Sequence, residues 1–104
     1  MTSIEKIKEL VQQELNEANE IHPQFHSDHE AWAVIEEEVE ECKEALGCLR
    51  SYMRVIWRGI REDKDIDELL TFAQRQAMSL AAEVIQVAAM CEKGLARYAD
   101  TENM

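Results

Sequence analysis

The sequence predicts an all-α fold in which long antiparallel helices form a four-helix-type bundle across a homo-oligomer. Three observations carry this expectation. Gly and Pro are scarce, three and one in 104 residues, so few turns interrupt the chain. Apolar residues recur at three- and four-residue steps, and no stretch alternates with the period of a strand. Ala77 to Cys91 carries one charge, Glu83, in fifteen residues, more apolar surface than one helix of so small a monomer can hide. A second copy is expected to cover the remainder. With 46% apolar residues the chain supports one domain over 1–104: an outer helix (1–21), bundle helices carrying the site (28–98) and a polar tail (99–104).

The first helix is expected over Ser3–Glu20, where Ile4, Ile7, Leu10, Val11 and Leu15 share one narrow face. Ser3 can cap its first turn, and Glu5 complements the helix dipole. Ile21–Asp28 reads as a loop because Pro23 disfavours helical geometry at His22. Ser27 and Glu30 then form a capping box. The second helix follows, with Trp32, Ile35, Val39, Cys42, Leu46, Leu49, Met53, Ile56 and Ile60 alternating in steps of three and four as a packing seam to about Gly59. A second stripe beside it, Ala31, Val34, Glu38, Glu41, Ala45, Cys48, Tyr52 and Val55, holds two glutamates among small and apolar neighbours. Arg58–Asp67 is the charged turn, with Asp65 or Asp67 as the cap of a last helix running from about Asp67 to Tyr98. On that helix Ser79, Glu83, Gln86, Met90, Lys93 and Arg97 fall on one stripe, polar except for Met90.

The chemistry is expected in the acidic run. Five carboxylates occupy the six positions from Glu36 to Glu41. Glu37 and Glu41, and Glu38 and Glu41, share one side of a helix. Like charges so placed destabilise a helix, and half-buried carboxylates need a cation or a basic partner. With Glu83 on the last helix they form a hard oxygen set suited to Mg²⁺, with Mn²⁺ as a substitute. The competing expectation pairs Glu83 with Arg50 or Arg54. Lys93, two turns after Gln86, can meet substrate phosphates. Trp32, about one turn before the acids, can stack on a base, although its seam position favours the core.

A formal charge of −11 argues against nucleic-acid polymers and anionic membranes as partners. Cys42, Cys48 and Cys91 form no CxxC pair and read as reduced packing residues. Without a leader or an apolar run near 18 residues, the expected location is cytoplasmic. His22, His26 and His29 straddle a proline-containing loop and make a poor zinc set, and no Glu-x-x-His pair suits a di-iron bundle.

These residues resemble a known family. Glu37-Glu38-Val39-Glu40-Glu41 fits the EExxE motif of the MazG-like all-alpha NTP pyrophosphatase superfamily, and Glu83-Val84-Ile85-Gln86 stands where that family has ExxD. Glu36-Glu37 with Glu40 also fits EExxE, but the apolar frame of Ile35, Val39, Cys42 and Leu46 favours the later register. His29–Ile35 and Glu44-Ala45-Leu46 resemble the flanks of small phage-type and bacterial members, and the resemblance spans about Pro23 to Lys93. It implies that Glu37, Glu38, Glu41 and Glu83 hold Mg²⁺, with Glu38 and Glu41 catalytic and Gln86, Lys93 and Trp32 toward substrate. It also implies hydrolysis of a nucleoside triphosphate to monophosphate and pyrophosphate by a dimer or tetramer, a house-cleaning activity on (d)NTPs. The alternative is a catalytically silent helical dimer that binds a nucleotide or a protein. The chain departs from the pattern at Gln86, a neutral amide in place of Asp, and in a longer spacer between Glu41 and Glu83.

Overall fold

A computed structural model of the protein describes residues 2–21 and 24–102, the side chains of 97–102 excepted. The described residues form three helices, α1 (Ile4–Ile21), α2 (Asp28–Arg61) and α3 (Asp67–Glu102). α3 packs against both of the others, in a molecule 66 × 27 × 20 Å across.

The helix starts follow local side-chain chemistry. Ser3 Oγ accepts from the Lys6 amide at 3.2 Å. Ser27, in extended geometry, accepts from the Glu30 amide at 3.1 Å, which sets the entry to α2. Asp65 accepts from the Asp67 amide at 2.9 Å ahead of α3.

α2 outruns its expected end at Gly59 and stops only at Arg61. The stop is made by Asp63, a non-glycine residue in the left-handed region at φ 55°. The Asp63 amide donates to the Ile60 carbonyl at 3.2 Å and the Lys64 amide to the Gly59 carbonyl at 2.9 Å, the paired bonds of a Schellman motif. Gly59 is buried inside the helix instead of turning it. A β-carbon there would lie 3.1 Å from Ile66 Cγ2, so its use is close approach. α3 also passes its expected end, since 95–102 lack Gly and Pro and the tail expected over 99–104 is helical to Glu102.

From Ile66, just ahead of α3, onward, later residues of the chain meet earlier residues of α2. Ile66 lies by Gly59, the Phe72 ring stacks on Tyr52 at 5.8 Å, and Gln86 reaches Glu38. The core sits at the α1 end, where Leu15, Phe25, Ala31, Ala89 and Met90 are buried together. Phe25, read from sequence only as part of a loop, is one of its members. His22 and Pro23, the basis for expecting that loop, lie outside the described residues.

The seam expected along α2 divides. Ile35, Cys42 and Leu49 are half-buried and Ile56 is buried, whereas Trp32 (66% exposed), Leu46, Met53 and Ile60 face solvent. One helix covers only about 100° of its neighbour, so α3 takes the side between the two stripes and leaves the rest bare. The apolar stretch of α3 is likewise incompletely covered within one chain: Ala89 and Met90 are buried, but Met78 and Val84 are exposed. Cys48 and Cys91 are exposed and Cys42 is half-buried, so of the three only Cys42 packs in the single chain. No helix among the described residues is long and apolar enough to cross a membrane.

Candidate metal centre

The helical spacing of α2 turns Glu38 and Glu41, three residues apart, toward α3, and Glu83 on α3 meets them. One oxygen from each of the three carboxylates lies within 4.8 Å of the others. Such crowding acts on protonation. Burial, followed by the charges of Glu41 and Glu83, pushes Glu38 up to about 7. Contact with Glu83, through a hydrogen bond and then through charge, raises Glu41 above the usual carboxylate range. Near neutral pH the Glu38 carboxyl can therefore take up a proton.

Gln86, one turn beyond Glu83, completes the group. With its amide nitrogen turned toward the acids it donates to Glu38 Oε2 at 2.7 Å and to Glu83 Oε2 at 3.2 Å. The side chain chosen from the sequence as a departure from Asp is thus in contact with both helices' carboxylates. An Asp here would add a fourth negative charge, whereas the amide supplies donors.

The donor set suits a hard divalent cation. Glu38, Glu41 and Glu83 would hold such an ion through carboxylate oxygens, the donors that Mg²⁺ and Mn²⁺ prefer. The arrangement gathers negative charge where a cation can bridge to an anionic ligand, and it offers a carboxyl group that exchanges its proton near neutral pH.

Other expected residues lie elsewhere. Glu37 is exposed and is not one of the three converging acids. Trp32 is exposed and lines a hollow with Asp28 and His29. Lys93 is buried with its ammonium 4.8 Å from the centroid of the Phe25 ring, so it belongs to the core rather than to the carboxylate cluster. The Arg97 side chain lies outside the described residues. Arg50 and Arg54, the alternative partners for Glu83, line an exposed hollow with Met53 and Trp57.

One neighbour escaped the sequence reading. Burial and then the charges of Glu83, Glu38 and Glu41 raise the Cys42 thiol, so Cys42 stands beside the acids as a neutral group. Its signal was its position one residue after Glu41 on the packed side of the helix. Compared with family models, curated proteins and solved structures, the chain matches none.

Proposed function

We propose that the protein is a Mg²⁺-dependent nucleoside triphosphate pyrophosphohydrolase, active in the cytoplasm as a homo-oligomer whose long antiparallel helices complete a four-helix-type bundle. The observation that carries the reading is the convergence of Glu38, Glu41 and Glu83, drawn from two short motifs some forty residues apart, with Gln86 touching two of them. The motif resemblance to MazG-like proteins supports the same chemistry.

Glu38, Glu41 and Glu83 would hold the ion. Bound there, Mg²⁺ supplies charge neutralisation for the phosphates and lowers the pKa of water. The residues supply the rest. Glu38, as the carboxylate of the three not fully committed to the ion, would accept the proton of the attacking water. The water oxygen bonds to the α-phosphorus, the bond to the α–β bridging oxygen breaks, and its electron pair leaves with pyrophosphate. Gln86 orients Glu38 and Glu83 through its two donors. Glu37, which the motif also offers as a ligand, is not among the three converging acids.

Gln86 also favours a second reading, a silent module that binds a nucleotide or protein, because its amide ties down two carboxylates where an added acid would bind a metal. The two readings separate on products. The purified chain is incubated with ribo- and deoxyribonucleoside triphosphates with and without Mg²⁺, and products are resolved by ion exchange. Monophosphate and pyrophosphate that require Mg²⁺ and vanish in Glu41→Gln are expected. Absence of turnover across the panel would leave the silent module.

A further inference from the structure

The distal half of α2 carries a pattern that the carboxylate site does not use. Between Glu44 and Glu62 there is no acidic residue, yet four of the chain's six arginines fall there, in a protein of formal charge −11. At 100° per residue Arg50, Arg54, Arg58 and Arg61 lie along one edge of the helix, and Glu36 and Glu40 lie on the same edge of its first half. Beside that edge runs a line of one residue in every seven, Trp32, Val39, Leu46, Met53 and Ile60, of which all but the half-buried Val39 face solvent. Trp32 is 66%, Met53 53% and Ile60 47% exposed, and Trp57, next to them, is 60% exposed. A seven-residue apolar repeat flanked by charge is the signature of a helix that expects another helix. α3 lies on the other side of α2, and α1 packs on α3.

We infer that this face of α2 is a self-association surface occupied by the α2 of a second copy running in the opposite direction. Leu46 then lies opposite Leu46, Val39 opposite Met53, and Trp32 opposite Ile60. The charges select this arrangement. When two copies pair head to tail, the same edge of each helix meets. Glu36 then falls between the partner's Arg54 and the partner's Arg58, and Glu40 between the partner's Arg50 and the partner's Arg54. Each offset is about 3 Å along the axis, within reach of a guanidinium. In a parallel pair the arginine-bearing edges of the two copies lie on opposite sides of the seam, so Glu36 and Glu40 do not meet the partner's arginines. Sliding the pair by seven residues in one direction sets Arg50 against Arg50, and in the other carries Arg58 and Arg61 past the start of the facing helix. The inference deepens the self-association proposed above and is independent of the chemistry assigned to Glu38, Glu41 and Glu83, which sit on the α3 side of α2.

The test is sedimentation equilibrium on the full chain, followed by a charge exchange. The wild type is expected near 24 kDa, twice the 12.0 kDa of one chain. Glu36→Lys with Glu40→Lys in one chain, and Arg50→Glu with Arg54→Glu in another, should each weaken self-association at least tenfold. An equimolar mixture of the two should restore a heterodimer. Direction is read separately in a chain whose own cysteines are alanine. Val39→Cys mixed with Met53→Cys should form an intermolecular disulfide under oxidised glutathione, while each alone should not. A wild type monomeric at 100 µM would overturn the inference, as would a dimer indifferent to the charge changes or cysteines that cross-link only with themselves. Retention of a single-stranded oligonucleotide through the arginines by a monomer would overturn it in favour of nucleic acid. Loss of nucleotide hydrolysis in Glu41→Gln with the dimer intact leaves it standing, so the two readings fail separately.

Discussion

Replacing Glu38 by glutamine should stabilise the metal-free protein at pH 8 while destroying its proposed activity. In the folded chain the Glu38 carboxyl is raised from 4.5 to about 7. Between those values the folded state binds more protons than the unfolded state, so stability falls as pH rises through the interval and is lowest above it. The full difference corresponds to about 3 kcal/mol at about 1.4 kcal/mol per unit. Glu38 is only partly buried, and solvent screening reduces the expected contribution to about 1–2 kcal/mol. Glutamine keeps the size and an acceptor for Gln86 but carries no charge. In EDTA at pH 8 the variant should therefore melt higher than wild type, by something on the order of 5–10 °C. At pH 5, where Glu38 is already protonated in the fold, the two should melt within a degree or two. The assay is paired thermal melts across pH 5 to 8. A variant that is destabilised at pH 8 as much as at pH 5 would refute the claim that the three carboxylates repel one another in the folded state.

Other consequences can be checked by substitution. Magnesium at millimolar concentration should raise the wild-type melting temperature at pH 8, and Glu83→Gln should abolish most of the rise, as followed by differential scanning fluorimetry. Gly47→Ala, with open space around its new β-carbon, should gain about 0.5–1 kcal/mol in urea unfolding. Gly59→Ala should show no such gain, because Ile66 Cγ2 must yield at 3.1 Å. Asp63→Gly should gain about 1 kcal/mol by relieving a left-handed residue at the end of α2. Phe25→Leu retains an apolar side chain but removes the ring beneath the Lys93 ammonium, and should lose about 1–2 kcal/mol by the same measurement.

Much of this architecture was written locally. Ser27 with a good helix former behind it starts α2, and the spacing of Glu38 and Glu41 on the half-buried stripe puts them on the packed side. Glu83 was legible because a single charge in fifteen residues of apolar helix needs a partner. Other features depended on tertiary choices that periodicity does not carry. The seam of α2 has apolar residues enough for two neighbours, and only the placement of α3 decides that Ile35 and Ile56 face inward while Trp32 and Met53 do not. Phe25 lies in a segment without helical period, so its burial had no pattern to announce it. Lys93 shares a helical stripe with Gln86, but seven residues separate them by about 10 Å along the axis, enough to place the lysine in the core end. The clustering of four arginines was visible in the chain and was masked by the net charge, which averages an acidic first half of α2 with a basic second half.

The measurement that tests the central claim most directly is a Mn²⁺ titration of the purified protein at pH 7.5, following free ion by electron paramagnetic resonance. Glu38, Glu41 and Glu83 acting as one cation site predicts saturable binding that Mg²⁺ competes away and that Glu41→Gln and Glu83→Gln each weaken at least tenfold. Binding unchanged in both variants, or no saturable binding in the wild type, would contradict it.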